Sequence, residues 1–191
     1  MLKMLDLFSG IGGFAKGIVD AGLTFNWHGF SEIDKYAKAI YKYHFPKAED
    51  LGDVRTIQPE RLPKLDLVTF GFPCQDLSVA GKRRGLEGVR SGLFYEAMRI
   101  IRVTRPPHFI FENVKGLFSS NQGKDWLAVL GEIAECGYDG QWQLLNTRWF
   151  LPQNRERVYF VEHLRGQCRP EIFPIGEATE IHNGFGGGAS I

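Results

Sequence analysis

A doubly wound, mostly parallel α/β sheet is what this sequence predicts, and three observations carry that expectation. Short apolar runs alternate with segments of helical spacing along most of the chain. A glycine turn, Ser9-Gly10-Ile11-Gly12-Gly13, stands between the first apolar run and the first helical segment. Acids and a Pro-Cys dipeptide follow directly on the ends of apolar runs. Open parallel sheets hold their ligands just there, beyond the carboxyl ends of the strands.

The elements follow in order. Lys3 to Phe8 reads as a short apolar strand, and Phe14 to Ala21 as a helix that Gly22 stops. Thr24 to Phe30 is a second strand, which runs into Ser31-Glu32-Ile33-Asp34. Lys35 to His44 has helical spacing and ends before Pro46. Leu65 to Phe70 is an apolar strand that enters Gly71-Phe72-Pro73-Cys74. Gly92 to Val103 is amphipathic, with Leu93, Ala97, Ile100 and Ile101 on one side. His108 to Phe111 is a strand that delivers Glu112-Asn113. Asp125 to Cys136 is helical and Gly137 ends it. Gln141 to Leu145 and Arg157 to Glu162 are the last two strands, spaced for an antiparallel pair that places one antiparallel strand in the edge region. From Gly176 onward the chain has five glycines in sixteen residues and little periodicity. The sequence therefore predicts a catalytic-sized domain over 1–175 and a poorly ordered tail over 176–191.

Composition narrows the function. The 191 residues are 43% hydrophobic and 24% charged, an ordinary balance for one globular domain. The net charge of +1 supplies no global field, so nucleic-acid contact must come from a local patch. Cys74, Cys136 and Cys168 are odd in number and lack metal-ligand spacing, which points to a reducing compartment and to no metal site. No apolar run reaches the length of a membrane span and no signal-peptide layout is present, so a cytoplasmic protein is expected.

Six short stretches carry the chemistry. Asp6 to Phe14, DLFSGIGGF, places glycines where a backbone can approach an anionic ligand at a helix start. Glu32 ends the next strand at the distance where an acid binds ribose hydroxyls. That pattern serves a dinucleotide or S-adenosylmethionine equally, and a ligand-free tight turn also satisfies it. Asp53, in Gly52-Asp53-Val54, is placed to accept from an adenine amino group, or is an ordinary turn aspartate. Pro73 fixes the approach to Cys74, and Lys82, Arg83, Arg84 and Arg90 follow among glycines. Cations favour a thiolate and bind phosphates, although a solvated basic loop beside an inert cysteine has the same composition. Glu112 leaves the neighbouring strand as a candidate proton donor to a ring nitrogen, and Asn113 could orient the loop or cap it. In Gln153-Asn154-Arg155-Glu156-Arg157, alternate residues of a strand point Arg155 and Arg157 to one face, suited to a carbonyl oxygen, a phosphate or a carboxylate such as that of Glu112.

Taken in order, DLFSGIGGF, SEID, GDV, GFPCQ, RSGLFYE, ENVKGL and LPQNRERVYFV closely resemble the cytosine-5 DNA methyltransferases over roughly Leu5 to Val161. The resemblance implies the S-adenosylmethionine-dependent methyltransferase fold and methyl transfer to carbon 5 of a flipped cytosine in double-stranded DNA. It implies Cys74 as the nucleophile, Glu112 at ring nitrogen 3 and the amino group, and Arg157 with Arg155 at the cytosine oxygen. It places Phe8, Gly10, Gly12, Gly13, Phe14, Glu32, Ile33, Asp53, Val54, Pro73 and Leu93 around S-adenosylmethionine. Gln75, Ser78, Lys82, Arg83, Arg84 and Arg90 fall on the loop that closes on DNA. The family continues with a target-recognition region and two further motifs, which are not found after Val161. The resemblance thus implies a second polypeptide that supplies target recognition. A truncated or non-catalytic subunit is the alternative. The family's RNA branch is a further one, but its Cys-Phe-Thr tripeptide is absent. An NAD-dependent oxidoreductase shares the glycine turn and Glu32 but has no use for Cys74, Glu112 and Arg157 as a set.

Overall fold

The computed structural model describes residues 1–73, 92–167, 172, 175 and 181–183. Eight strands form one sheet: β1 (Leu2–Leu7), β2 (Phe25–Ser31), β3 (Glu49–Asp50), β4 (Leu67–Gly71), β5 (His108–Val114), β6 (Tyr138–Asn146), β7 (Glu156–Leu164) and β8 (Ile181–Asn183). Their order is β3-β2-β1-β4-β5-β7-β6-β8. The first five are parallel, while β7 runs antiparallel to both β5 and β6, and β8 antiparallel to β6. Strand order reverses between β1 and β4, which opens the ligand crevice at their carboxyl ends.

Four helices are described: α1 (Gly13–Asp20), α2 (Lys35–His44), α3 (Leu93–Thr104) and α4 (Lys124–Glu135). α2 starts where Asp34 accepts from the amides of Tyr36 and Ala37, at 2.9 and 2.8 Å, and stops just before Pro46. No helix among the described residues is long and apolar enough to cross a membrane.

Alternation along β1 sends Leu5 and Leu7 to one face of the sheet and Met4 and Asp6 to the other. The first face packs on Phe94, Ala97, Met98 and Ile101 of α3 and on Val129 and Ile133 of α4. The second packs on Ala15 of α1 and Tyr41 of α2. Phe70, Phe111 and Phe160 are in register on β4, β5 and β7, with ring centroids 5.0 and 4.0 Å apart. Each such pair contributes about 0.5–1.5 kcal/mol beyond its area burial. This aromatic row therefore holds three strands to one register.

Three sequence expectations are corrected. β7 does not sit in the edge region: it lies between β5 and β6, because Phe160 completes the aromatic row and the run from Val158 to His163 is buried. β5 runs on to Val114, since Glu112, Asn113 and Val114 pair with Tyr159, Val158 and Arg157. β7 begins at Glu156, so Arg155 precedes the strand; its amide is taken by the Asn146 side chain at 3.3 Å. Beyond β7, the Gln141 and Gln143 amides hold the backbone of Ile172 and Ile175, and Ile181–Asn183 pairs with β6.

Candidate active site

The crevice begins where β1 ends. Phe8 has φ 51°, a left-handed conformation that costs a bulky residue energy and turns the chain out of the sheet. Gly12 follows with φ 96°, and a Cβ there would lie 3.0–3.2 Å from the rings of Phe45 and Tyr41. Glycine at this position lets α1 start tightly against α2.

Glu32, just past β2, ties this turn down. One carboxylate oxygen accepts from the Gly10 amide at 2.8 Å; the other accepts from Ile33 and Asp34 at 2.8 and 2.9 Å. Beside it opens a cavity of about 350 Å³. Phe8, Glu32, Ile33, Asp53, Val54 and Leu93 line it. Ile33 is 69% exposed on its rim, an apolar surface suited to the face of a heteroaromatic ring. Volume and lining fit a nucleoside-sized ligand with a polar and a flat apolar part.

Gly10 reaches the pocket only through Glu32, while Gly12, Gly13, Phe14 and Pro73 are not among its lining residues. Phe14 packs instead against the core under α1 and α2. Ser31, Arg55, Gly92 and Glu96 line the cavity without having been singled out from the sequence. Arg55 changes the expectation for Asp53. Its backbone amide, Nε and Nη2 all bind the Asp53 carboxylate at 2.7–3.1 Å, and these hydrogen bonds hold that carboxyl below its usual range. No signal in Val54-Arg55-Thr56 announces this, because a 3-10 turn has no burial period to read.

Glu112 occupies the next strand end. It stands opposite Tyr159, with Arg157 diagonal to it on the same face. Arg157 Nε lies 3.3 Å from Glu112 Oε2, in ion-pair range, yet that buried oxygen has no hydrogen-bond partner among the described residues. Burial raises the Glu112 carboxyl above its ordinary value, and the charges of Arg157 and then Arg155 oppose the shift. Gly71 is small for a reason: a Cβ there would meet Glu112 Oε1 at 3.2 Å.

Asn113 ties this strand end to the cysteine loop. It is 3% exposed; its Nδ2 donates to the Phe72 carbonyl at 3.0 Å and its Oδ1 accepts from Val114. The last peptide before Pro73 is thereby fastened to the residue after Glu112. Cys74, Gln75, Ser78, Lys82, Arg83, Arg84, Arg90 and Cys168 lie outside the described residues. Among the described residues, no group of three or more His, Cys, Asp or Glu side chains could hold a metal ion.

Comparison with known proteins shows the family. A family model described as C-5 cytosine-specific DNA methylase matches residues 2–182. Type II methyltransferase M.NgoBI of Neisseria gonorrhoeae is 41% identical over 162 residues, 84% of this chain and 50% of that protein. Type II methyltransferase M.HgiCI of Herpetosiphon aurantiacus is 40% identical over 189 residues, 95% of this chain and 44% of that protein. Orphan methyltransferase M.SPRI of Bacillus phage SPR is 40% identical over 163 residues, 84% of this chain and 37% of that protein. The chain thus spans half or less of the length of these three relatives. Among solved structures, a DNMT2 variant from Spodoptera frugiperda superposes with TM-score 0.72 at 24% identity, over 94% of this chain and 54% of that one, a likeness of fold.

Proposed function

From the premise that this chain belongs to the C-5 cytosine-specific DNA methylase family, we propose that it transfers a methyl group from S-adenosylmethionine to carbon 5 of cytosine in double-stranded DNA. In this reading a second polypeptide supplies target recognition. The observation that carries the proposal is the pairing of two sites at one sheet edge. A nucleoside-sized cavity lies at the ends of β1 and β2, and a half-buried acid–arginine pair where β5 ends and β7 begins. The Asn113 clamp fastens the Phe72 carbonyl, two residues before Cys74 in the sequence.

S-adenosylmethionine, when bound, supplies an electrophilic methyl on a sulfonium; Glu32 and Ile33 are placed to take its ribose and adenine. The protein's own residues make carbon 5 reactive. The Cys74 thiolate adds to carbon 6 of a base turned out of the duplex, which breaks the carbon 5–carbon 6 double bond and leaves an enamine that is nucleophilic at carbon 5. Glu112 donates a proton to nitrogen 3 as that addition places negative charge on the ring, for which a carboxyl raised by burial is suited. Arg157 holds the cytosine oxygen and keeps Glu112 in place. After transfer, a base removes the carbon 5 proton and the thiolate leaves, which restores the double bond. Covalent addition thus divides one difficult step into easier ones.

The test is covalent trapping. Duplex DNA containing 5-fluorocytosine, incubated with the chain and S-adenosylmethionine, gives a stable protein–DNA adduct, because fluorine at carbon 5 cannot leave as a proton does. Cys74→Ser abolishes it. Adduct formed only after addition of lysate from the source cell identifies a missing subunit. No adduct with or without lysate sinks the catalytic reading.

A further inference from the structure

We propose that Lys115 is an exchangeable phosphate ligand: Glu156 holds it in the free protein, and a DNA backbone phosphate takes it when the substrate strand docks. The inference rests on the reading that the chain acts on DNA, and it concerns residues which that reading leaves without a role.

A shallow, open recess in the surface lies at the carboxyl end of β5 beside the Glu112–Arg157 pair. Its charged lining is Lys115, Arg155, Arg157 and Glu156, so three cations face one carboxylate among the described residues. The Gln153 and Asn154 side chains add only polar neutral surface. An excess of two positive charges in a polar recess fits an anion, and the anion next to a target base is its own sugar–phosphate.

The three cations are not equivalent. Arg157 is committed inward, to Glu112 at 3.3 Å and to the Glu156 carbonyl at 2.8 Å. Arg155 sits before β7, with its backbone fixed to Asn146 and Thr147. Lys115 contacts both oxygens of Glu156, at 3.1 and 3.2 Å, and its side chain is 55% exposed. An ion pair so exposed is worth little, about 0–1 kcal/mol, so a phosphate can replace Glu156 at small cost. Lys115 also directly follows β5, and Val114 pairs with Arg157 at the end of the β5–β7 register. A phosphate drawn to Lys115 is therefore held one residue from the arginine that positions Glu112.

The test measures binding of the whole chain to duplex DNA between 50 and 200 mM salt. Each phosphate neutralised contributes about 0.9 to the slope of log K against log salt. Lys115→Met lowers that slope by about 0.9, so the wild type loses about 3.5-fold more affinity than the variant over this fourfold salt range. Lys115→Arg keeps the slope. Glu156→Gln frees Lys115 and tightens binding in the wild-type background, with no such gain beside Lys115→Met. An unchanged slope in Lys115→Met, or a Glu156→Gln effect that survives it, overturns the proposal and leaves the pair a clasp at the sheet end. If the wild-type chain shows no salt-dependent DNA binding, this inference falls; the DNA reading falls with it only if 5-fluorocytosine trapping also fails with and without lysate.

Discussion

Asp6→Asn should stabilise the protein at neutral pH, by an amount that grows with pH. Asp6 is 1% exposed, under the glycine turn. Its oxygens accept from Thr69 at 2.7 Å and Tyr41 at 3.1 Å, and Tyr41 stands 2.7 Å from His28 Nε2. Burial, with a smaller push from Glu32, raises its pKa from 3.8 to about 7. Between those values the native state keeps a proton that the unfolded state has lost. Stability therefore falls as pH rises through the window, by about 1.4 kcal/mol per unit and about 4 kcal/mol in all. The amide introduced by Asp6→Asn imitates the protonated acid. It accepts from Thr69 and donates to Tyr41, which then donates to His28. His28 has the opposite linkage: burial lowers its pKa from 6.5 to about 4, so its contribution is present above pH 6.5 and is lost as pH falls to 4. In the wild type the two slopes nearly cancel from pH 4 to 6.5, and only the difference between variant and wild type isolates Asp6. Urea unfolding at unit steps from pH 4 to 8 measures it. A difference that grows by about 4 kcal/mol supports the reasoning, whatever its offset at pH 4; a difference flat to within about 1 kcal/mol refutes it.

Three other predictions concern the strand end at Glu112. Asn113→Ala leaves the buried Phe72 carbonyl without its donor and should cost about 1–3 kcal/mol in urea unfolding, with slower 5-fluorocytosine trapping; a cost below about 0.5 kcal/mol would mean the clamp is dispensable. Gly71→Ala sets a methyl 3.2 Å from Glu112 Oε1 and should slow trapping about tenfold or more while S-adenosylhomocysteine binding is unchanged; equal loss of both would point to general misfolding instead. Arg157→Gln removes the stronger of the two charges that oppose the upward shift of Glu112, so that carboxyl should titrate at higher pH, read by carbon-13 NMR of labelled glutamate. A downward or absent shift would exclude Arg157 as its electrostatic partner.

Legibility from sequence tracked the range of the interactions involved. α2 was readable from Lys35 to His44 because its signals, Asp34 and Pro46, are local. The crevice residues Phe8, Glu32, Ile33 and Leu93 were readable because strand ends and glycine turns carry recognisable residues. The insertion of β7 between β5 and β6 was not, since apolar alternation names a face and not a neighbour. Arg155 was misplaced for a related reason: alternation assumed a strand where the Asn146 side chain had already taken the amide. Arg55 and Glu96 had no periodic signal, and the hold of Arg55 on Asp53 appears only in three dimensions.

The placement of Glu112 shows why the rest of the chain was informative even where single residues were not. One step along from Phe70, Phe111 and Phe160 stand Gly71, Glu112 and Tyr159, in register and on the opposite face. The aromatic row is buried on the α3 and α4 side, so it cannot slip by one residue without turning phenyl rings out and Glu112 in. Each buried phenylalanine is worth about 1.5–3 kcal/mol, far more than the pull between Glu112 and Arg157 at their partly exposed sites. The register is therefore set by the core and imposed on the site. That lets Glu112 keep a buried oxygen without a hydrogen-bond partner among the described residues, a state its own interactions would not maintain.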